Sequence, residues 1–442
     1  MKLRKDVRTL SLLLAIALIG AIFVPVVSAQ VTTDNIRMDI NTPTIAIGDC
    51  TNVLINDAKT LSDLKSSGIP DPEDLSISEG IARYDLVTFD HSSLNEQMQS
   101  TLSIQICGKD YNVILNRMNF ESLDDGIDSY EGQIQGVEES AVLLTKGNNV
   151  LVGSIKLGNK TFWITPVEPR ARAAKSQSPL HIIYSSDDVK HQEKPAIIDY
   201  GPISAPESYD SAVNPEQSIG SQIETTKQFY TANILVTTDN QFYQDETNWK
   251  AMAQDIIATA NQQFGRDDIQ VSLCVMAYDD SRRYQLSNHN DIMSSPLDAF
   301  KDVYPDSDLD MWSSDLGLYL GGYDKTGTEI GLSYGYTNNG RHSWAQMVTD
   351  WYDYCYWGTG HGRRCVSIHE IGHNFNAHHE GTSGYNQAYA FNIGGLTHTV
   401  MWSYFFEHLN CYEFSSDNYH GDATHDNARA IREAKAQVAG YV

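Results

Sequence analysis

Residues 365–380 read Cys-Val-Ser-Ile-His-Glu-Ile-Gly-His-Asn-Phe-Asn-Ala-His-His-Glu, and more of the fold follows from them than from any other stretch. His369 and His373 stand four apart, so on a helix their imidazoles project from one face and can grip a single metal ion. Glu370 lies beside them but off that line, where its carboxylate can hold and deprotonate a water instead of binding the metal. Neutral imidazoles suit Zn2+, and a catalytic zinc keeps one position open, so three protein ligands are wanted. Two-His-one-Glu sites would take a glutamate from a second helix about twenty residues on. No Asp or Glu occurs from Gly381 to Phe406. His379 instead stands ten residues after His369. To reach the same metal, the helix must stop after His373 and the chain must turn back sharply. Asn376 is the turning position, because asparagine is the best non-glycine residue for a left-handed conformation.

Outward from the motif, nine of the 14 histidines fall between His361 and His425, which places the metal chemistry in the C-terminal half. His378 has the wrong spacing for a ligand, and His398 and His408 default to structure. Upstream, ANILVTTD (232–239) reads as a strand, and residues 248–264 as a helix with Met252, Ile256, Ile257, Ala260 and Phe264 on one face. A strand at 270–278, a helix near 291–303, and strands at 316–322, 330–335 and 342–348 follow. The alternation predicts an α/β fold with a mixed sheet. Asp306, Asp308 and Asp310 alternate as in a calcium loop, but the twelfth position is Gly317, so no EF-hand is expected. A solvated acidic loop is expected there, and Ca2+ has no supporting motif.

Between 84 and 166 short apolar runs (84–89, 102–106, 111–115, 141–145, 150–155 and 161–166) alternate with turns such as Gly147-Asn148-Asn149. These predict an antiparallel meander. Asn159-Lys160-Thr161 is a glycosylation sequon in one such turn. From 167 to 226 the periodicity fades and prolines spread through the sequence, as in a linker or an extended wrapping segment. Arg170, Arg172 and Lys175 are read equally as a processing site or as linker charge.

At the N-terminus, Lys2, Arg4, Lys5 and Arg8 precede an apolar run from Leu10 to Val27 that ends in Val27-Ser28-Ala29. This is the three-part pattern of a secretory signal, with an uncleaved anchor as the alternative. Export permits disulfides, and the six cysteines suggest Cys50–Cys107 plus two bridges among Cys274, Cys355, Cys365 and Cys411, in any of three connectivities. The formal charge of −26 argues against nucleic acid as a partner.

The motif HEIGHNFNAHH resembles the metzincin zinc motif HExxHxxGxxH, and its HNF-x-A form is similar to the reprolysin (ADAM-type and snake-venom) branch. That family has a Met-turn beneath the zinc, and Thr399-Val400-Met401-Trp402 fits it in order and distance. Upstream, 235–245 resembles the first strand of reprolysin catalytic domains, and 322–335 their substrate-binding edge strand. Residues 106–118 and 129–166 are similar to the reprolysin propeptide. Asn376 departs from the usual Gly, and Glu380 from the Asp that commonly follows the third histidine. An adjacent Glu is seen in astacins, whose zinc-binding Tyr follows the Met by two; here that position is Ser403 and Tyr404 falls one later. Reprolysin propeptides often cap the zinc with a Cys, but none occurs between 108 and 273. Cys107 is assigned to a disulfide instead.

The resemblance implies a metzincin catalytic domain of α/β (α+β) class at 227–442, with a mixed, mostly parallel sheet and an active-site helix. Before it come a signal peptide at 1–29, a β-rich propeptide domain at 30–166 and a linker or propeptide tail at 167–226. The expected activity is that of a secreted or cell-surface zinc endopeptidase made as a proenzyme. Its metal ligands would be His369, His373 and His379, its general base Glu370, its Met-turn residue Met401 and its cofactor one catalytic Zn2+. Its partners would be protein or peptide substrates and its own propeptide, with no stable membrane insertion once the signal is cleaved. Two alternatives are a non-catalytic surface or matrix binding protein on the same fold and a zinc amidase acting on a non-protein substrate. Residues 30–226 carry −15 and 227–442 carry −14, so bulk charge attraction cannot hold the two parts together. Apolar contacts, strand pairing or a zinc-directed group must do so.

Overall fold

The structure is a computed structural model that describes residues 101–106, 109–167, 180–189, 228–288, 295–322, 329–348, 359–391, 397–405 and 409–442, with residues 196–197 and scattered positions from 44 to 98. The chain divides into two units, Met1–Arg37 and Met38–Val442. The first, with the N-terminal apolar run, lies outside the described residues, as do Cys50, Cys107, Cys355, Arg170, Arg172, Lys175 and His408. Among the described residues no helix is long and apolar enough to cross a membrane.

Within Met38–Val442, the alternating runs of the N-terminal half form a ten-stranded sheet. Its strands are β1 (Thr44–Ile47), β2 (Leu54–Ile55), β3 (Asp85–Val87), β4 (Thr101–Ile106), β5 (Lys109–Arg117), β6 (Asp128–Ile134), β7 (Ser140–Lys146), β8 (Leu151–Leu157), β9 (Lys160–Val167) and β10 (Leu180–Ser185). From β4 to β10 each strand pairs antiparallel with the next, the meander that the turn residues predict. Leu102, Ile104 and Ile106 alternate inward to meet Val113 and Leu115 in one core. β10 falls inside the stretch expected to be linker. It is buried along its whole length, and a strand covered on both faces shows no apolar–polar alternation by which it could be read.

After β11 (Ala196–Ile197), the C-terminal half builds a five-stranded sheet from β12 (Tyr230–Thr238), β13 (Val271–Asp279), β14 (Leu316–Gly321), β15 (Gly331–Ser333) and β16 (His342–Gln346), ordered β13-β12-β14-β16-β15. Three pairings are parallel, and β15 runs antiparallel to β16 at the edge. Among the described residues seven helices accompany it: α1 (Asn240–Asp245), α2 (Trp249–Phe264), α3 (Arg283–Asn288), α4 (Pro296–Val303), α5 (Asp306–Met311), α6 (Thr359–Asn374) and α7 (Asn427–Val438). Two-residue strands β17 (Ala390–Phe391), β18 (Thr397–His398) and β20 (Leu409–Asn410) form a small sheet, and β19 (Tyr404–Phe405) pairs with β11. Mixed α/β architecture is therefore present.

The period of two sorts the sheet's side chains to two covered faces. Ala232, Ile234 and Val236 of β12 pack with α2 and α6, while Leu235 packs with α3, α4 and α5. α4 starts where Ser295 caps the Asp298 amide and Pro296 occupies the first turn. The three alternating aspartates belong to α5 rather than to a solvated loop. Each has its own cation: Asp306 with Lys301 at 3.4 Å, Asp308 with Arg282, and Asp310 with Arg341 at 2.7 Å.

The cysteines correct an expectation. No disulfide joins any two of Cys274, Cys365 and Cys411, and two bridges among the four C-terminal cysteines would need at least one such pair. Cys274 sits on β13, Cys365 on α6, and Cys411 beyond β20, so sequence parity gave no guide to their separation.

The N- and C-terminal halves share a core. Phe120 and Leu143 join the cluster of α2, β12 and α6, and Val150 and Val152 pack against Ala251 and Met252. Phe120 O accepts from Val275 N at 2.7 Å and Ser122 N donates to Val275 O at 3.3 Å, extending the edge of β13. Consequently α2, expected to bury one face, is covered nearly all round, including Gln254, Asp255 and Thr259. Asp255 pairs through its Oδ2 with Arg364 of α6, whose Nε lies 2.7 Å away, with both side chains at most 3% exposed.

Three outcomes follow for stability. Arg364→Ala strands a buried carboxylate and should lower unfolding free energy by about 3–5 kcal/mol in denaturant titration. A chain cut at an engineered site within 210–215 should keep its two pieces co-eluting on gel filtration, because the shared core does not depend on that link. The third concerns His342, whose Nε2 lies 2.7 Å from Tyr304 O. Burial pushes its imidazole down to about 4, against the partial offsets of that carbonyl and Asp306 and with Lys301 and Arg341 adding to it. The unfolded chain then binds the proton first, so stability is full above pH about 6.5 and falls as pH drops toward about 4. His342→Gln should flatten that slope in thermal melts across this window.

Candidate metal centre

α6 carries the site because packing holds it on several sides. Val366, Ile368 and Ile371 enter the core shared with α2 and β12. Asn374, fully buried, donates from Nδ2 to Ser333 Oγ at 2.9 Å and Tyr334 O at 2.8 Å, and accepts from Ser343 Oγ at 2.7 Å. This ties the end of the helix to the edge strand β15 and its neighbour β16.

The helix then stops as the sequence requires. Asn376 takes φ 68°. Asn376 N donates to His373 O at 3.1 Å and Ala377 N donates to Gly372 O at 3.0 Å, the paired bonds of a Schellman cap with asparagine in the left-handed position. The turn brings His379 back over the helix. His369 Nε2 lies 2.9 Å from His379 Nε2, and His373 Nε2 lies 3.1 Å from each of the other two. All three residues are buried.

The chemistry of this donor set fits a zinc ion. A carbonyl oxygen only accepts, so His369 Nδ1 must donate to Val400 O at 2.8 Å, and His373 Nδ1 to Ala377 O at 2.7 Å. Each neutral ring is thereby fixed with its Nε2 lone pair facing the common centre, the backing that metal-bound imidazoles receive. Three nitrogens about 2.0–2.1 Å from a tetrahedral ion would stand roughly 3.3 Å apart, close to the spacing present. His378 does not join them; its Nε2 lies 3.3 Å from Asn376 Oδ1.

The Glu370 carboxylate sits against the sheet edge. A Cβ added at Gly331 of β15 would lie 2.1 Å from its Oε1, so a glycine is needed there for the carboxylate to sit against the strand. Met401 packs beneath the helix turn between His369 and His373: a Cβ added at Gly372 would come within 2.7 Å of its Sδ and 2.8 Å of Phe414 Cε1. The Val400 carbonyl that orients His369 belongs to the same turn. His398 stacks on Trp402 with ring centroids 4.2 Å apart, a structural contact.

Several contributors were not visible in the sequence. Glu380, after the third histidine, accepts from Ser403 N at 3.1 Å and Ser403 Oγ at 2.5 Å, locking the ligand loop to the turn beyond Met401. Gly331, Asn374 and the Glu380–Ser403 link join positions far apart in sequence, and no local pattern shows which partners they meet. Asn374 alone had a signal, its place directly after His373.

A family model described as metallo-peptidase family M12 matches residues 229–404. No curated protein matches the chain in sequence. Among solved structures, metalloproteinase-II from Bacteroides fragilis is 11% identical with a TM-score of 0.42, over 74% of this chain and 91% of that one. A chaperone–substrate complex is 14% identical with a TM-score of 0.34, over 48% of this chain; the chain spans only 35% of its length. The family match, with the three-histidine cluster inside it, supports a metallopeptidase of M12-like type.

Proposed function

We propose that this chain is a secreted zinc endopeptidase of the metzincin clan, reprolysin branch, made as a latent precursor with Glu370 as its general base. The observation that carries the reading is the convergence of three imidazole Nε2 atoms within 3.1 Å, two of them with Nδ1 tied to carbonyls, beside a buried carboxylate. The HNF-x-A sequence and the left-handed Asn376 favour the reprolysin branch. The N-terminal basic and apolar pattern favours export.

Zinc held by His369, His373 and His379 would supply a Lewis acid that polarises the scissile carbonyl and makes a nearby water more acidic. Glu370 takes that water's proton on its carboxylate and delivers it to the leaving amine. Its place against Gly331 sets the carboxylate beside the edge strand β15, along which an extended peptide can add antiparallel with its main chain completing the sheet. The Val400 and Ala377 carbonyls hold the imidazoles in the tautomer that a metal needs.

Two observations favour latency. Glu370 is 0% exposed. β11, N-terminal to the M12-like segment, pairs antiparallel with β19, three residues beyond Met401, where the wall of the cleft is expected. Both halves being acidic, strand pairing and the shared core are the interactions available to hold such a cover in place.

Glu370→Gln keeps the shape of the side chain and removes the base. It should retain about one zinc per chain by metal analysis while cleavage of casein or a peptide library, after activation of the full chain, falls by a factor on the order of 10²–10⁴. Substantial residual cleavage sinks the assignment. Chelator-sensitive turnover of a small amide with no peptide cleavage favours the amidase, and no turnover by the activated, zinc-loaded chain favours a binding protein.

A further inference from the structure

His369 and His373 arrive with a helix, but His379 arrives on a loop. Residues 377–387 have neither helical nor strand pairing to hold them. Besides the Glu380–Ser403 link, their support comes from the start of α7. Asn427 is the first residue of α7 and is 0% exposed. Its Oδ1 accepts from His378 N at 2.9 Å and its Nδ2 donates to His378 O at 3.1 Å. One side-chain amide thus satisfies both main-chain groups of the residue beside His379, as a neighbouring strand would.

The clamp is itself anchored. Asn427 N donates to Ser415 Oγ at 3.0 Å, and that hydroxyl donates to Gln387 O at 2.5 Å at the far end of the loop. Ala428 N donates to Ser415 O at 2.9 Å, and Asp426 N donates to Tyr385 O at 2.7 Å. Asp426 also caps α7 by accepting from Arg429 N at 2.9 Å. The start of α7 therefore touches the loop at 378 and 385 directly and at 387 through Ser415, and among these contacts Asn427 supplies the side chain that reaches a ligand's immediate neighbour.

We propose that Asn427 is a positioning residue for the metal centre: its amide, bonded to both main-chain groups of His378, fixes His379 Nε2 against the two helical imidazoles. The inference rests on the zinc reading given above. It differs from a purely structural role of α7, which would affect stability without affecting how tightly the folded chain holds a metal.

The test uses the full chain and measures Zn2+ affinity by chelator competition, with the visible spectrum of the Co2+-loaded protein as a second readout. Asn427→Ala should bind Zn2+ about 10–100-fold more weakly, the range for losing a group that orients a ligand, and should shift the Co2+ bands. Asn427→Asp keeps the acceptor for His378 N but cannot donate to His378 O, and should fall between. Gln437→Ala, which removes contacts from α7 to Tyr336 and Asn339, should bind Zn2+ as the unaltered chain does. A folded Asn427→Ala chain with unchanged affinity overturns the inference; should that variant not fold, unchanged affinity in Asn427→Asp does so. Failure of the unaltered chain to bind Zn2+ overturns the zinc reading itself, and with it this inference.

Discussion

The left-handed turn at Asn376 is the constraint on which the metal centre depends. Continuing the helix would carry His379 away from the face shared by His369 and His373; the turn returns it to within 3.1 Å of both. An L-residue in this conformation costs on the order of 1–2 kcal/mol. The two cap bonds offset it at about 0.5–1.5 kcal/mol each. The same turn presents the Ala377 carbonyl to His373 Nδ1, so one backbone device ends the helix, orients the second imidazole and aims the third.

Around that turn, distant parts of the chain act on the same few atoms. Val400 orients His369, Ser403 holds Glu380, and the start of α7 holds the loop at His378. From the other side, Arg364 of α6 reaches Asp255 of α2, and α2 lies against the N-terminal sheet. Trp163 of that sheet stacks on Tyr184 and stands edge-on to His361 near the start of α6. The N-terminal half is therefore bound to the helix that carries the site through apolar packing, while salt largely screens the repulsion between the two acidic halves beyond about 10 Å.

What could be read in the sequence was local. The spacing of His369, Glu370, His373 and His379 depends on one helix and one turn, and the helix–strand alternation from 232 to 348 depends on periods of two and 3.6. β10 has no alternation to read because Leu180–Ser185 is covered on both faces. The amphipathic pattern of α2 marks only the stronger face, and its second covering comes from residues about a hundred positions away. Asn427 and Gly331 carry no pattern at all, since their meaning lies in contacts with His378 and Glu370. The expected pair of bridges among the C-terminal cysteines fails for a related reason: an even count permits bridges but says nothing about the distance between Cys274, Cys365 and Cys411.

Zinc K-edge absorption spectroscopy on the purified full chain, with metal content measured on the same sample, tests the centre most directly. One zinc per chain, with three imidazole nitrogens at about 2.0–2.1 Å and an oxygen donor completing the shell, is the expected result. Loss of one imidazole from the spectrum of His379→Ala would assign the third ligand to the loop that Asn376 returns. A sulfur donor in the shell, or an unchanged imidazole count in that variant, would contradict the assignment of His369, His373 and His379.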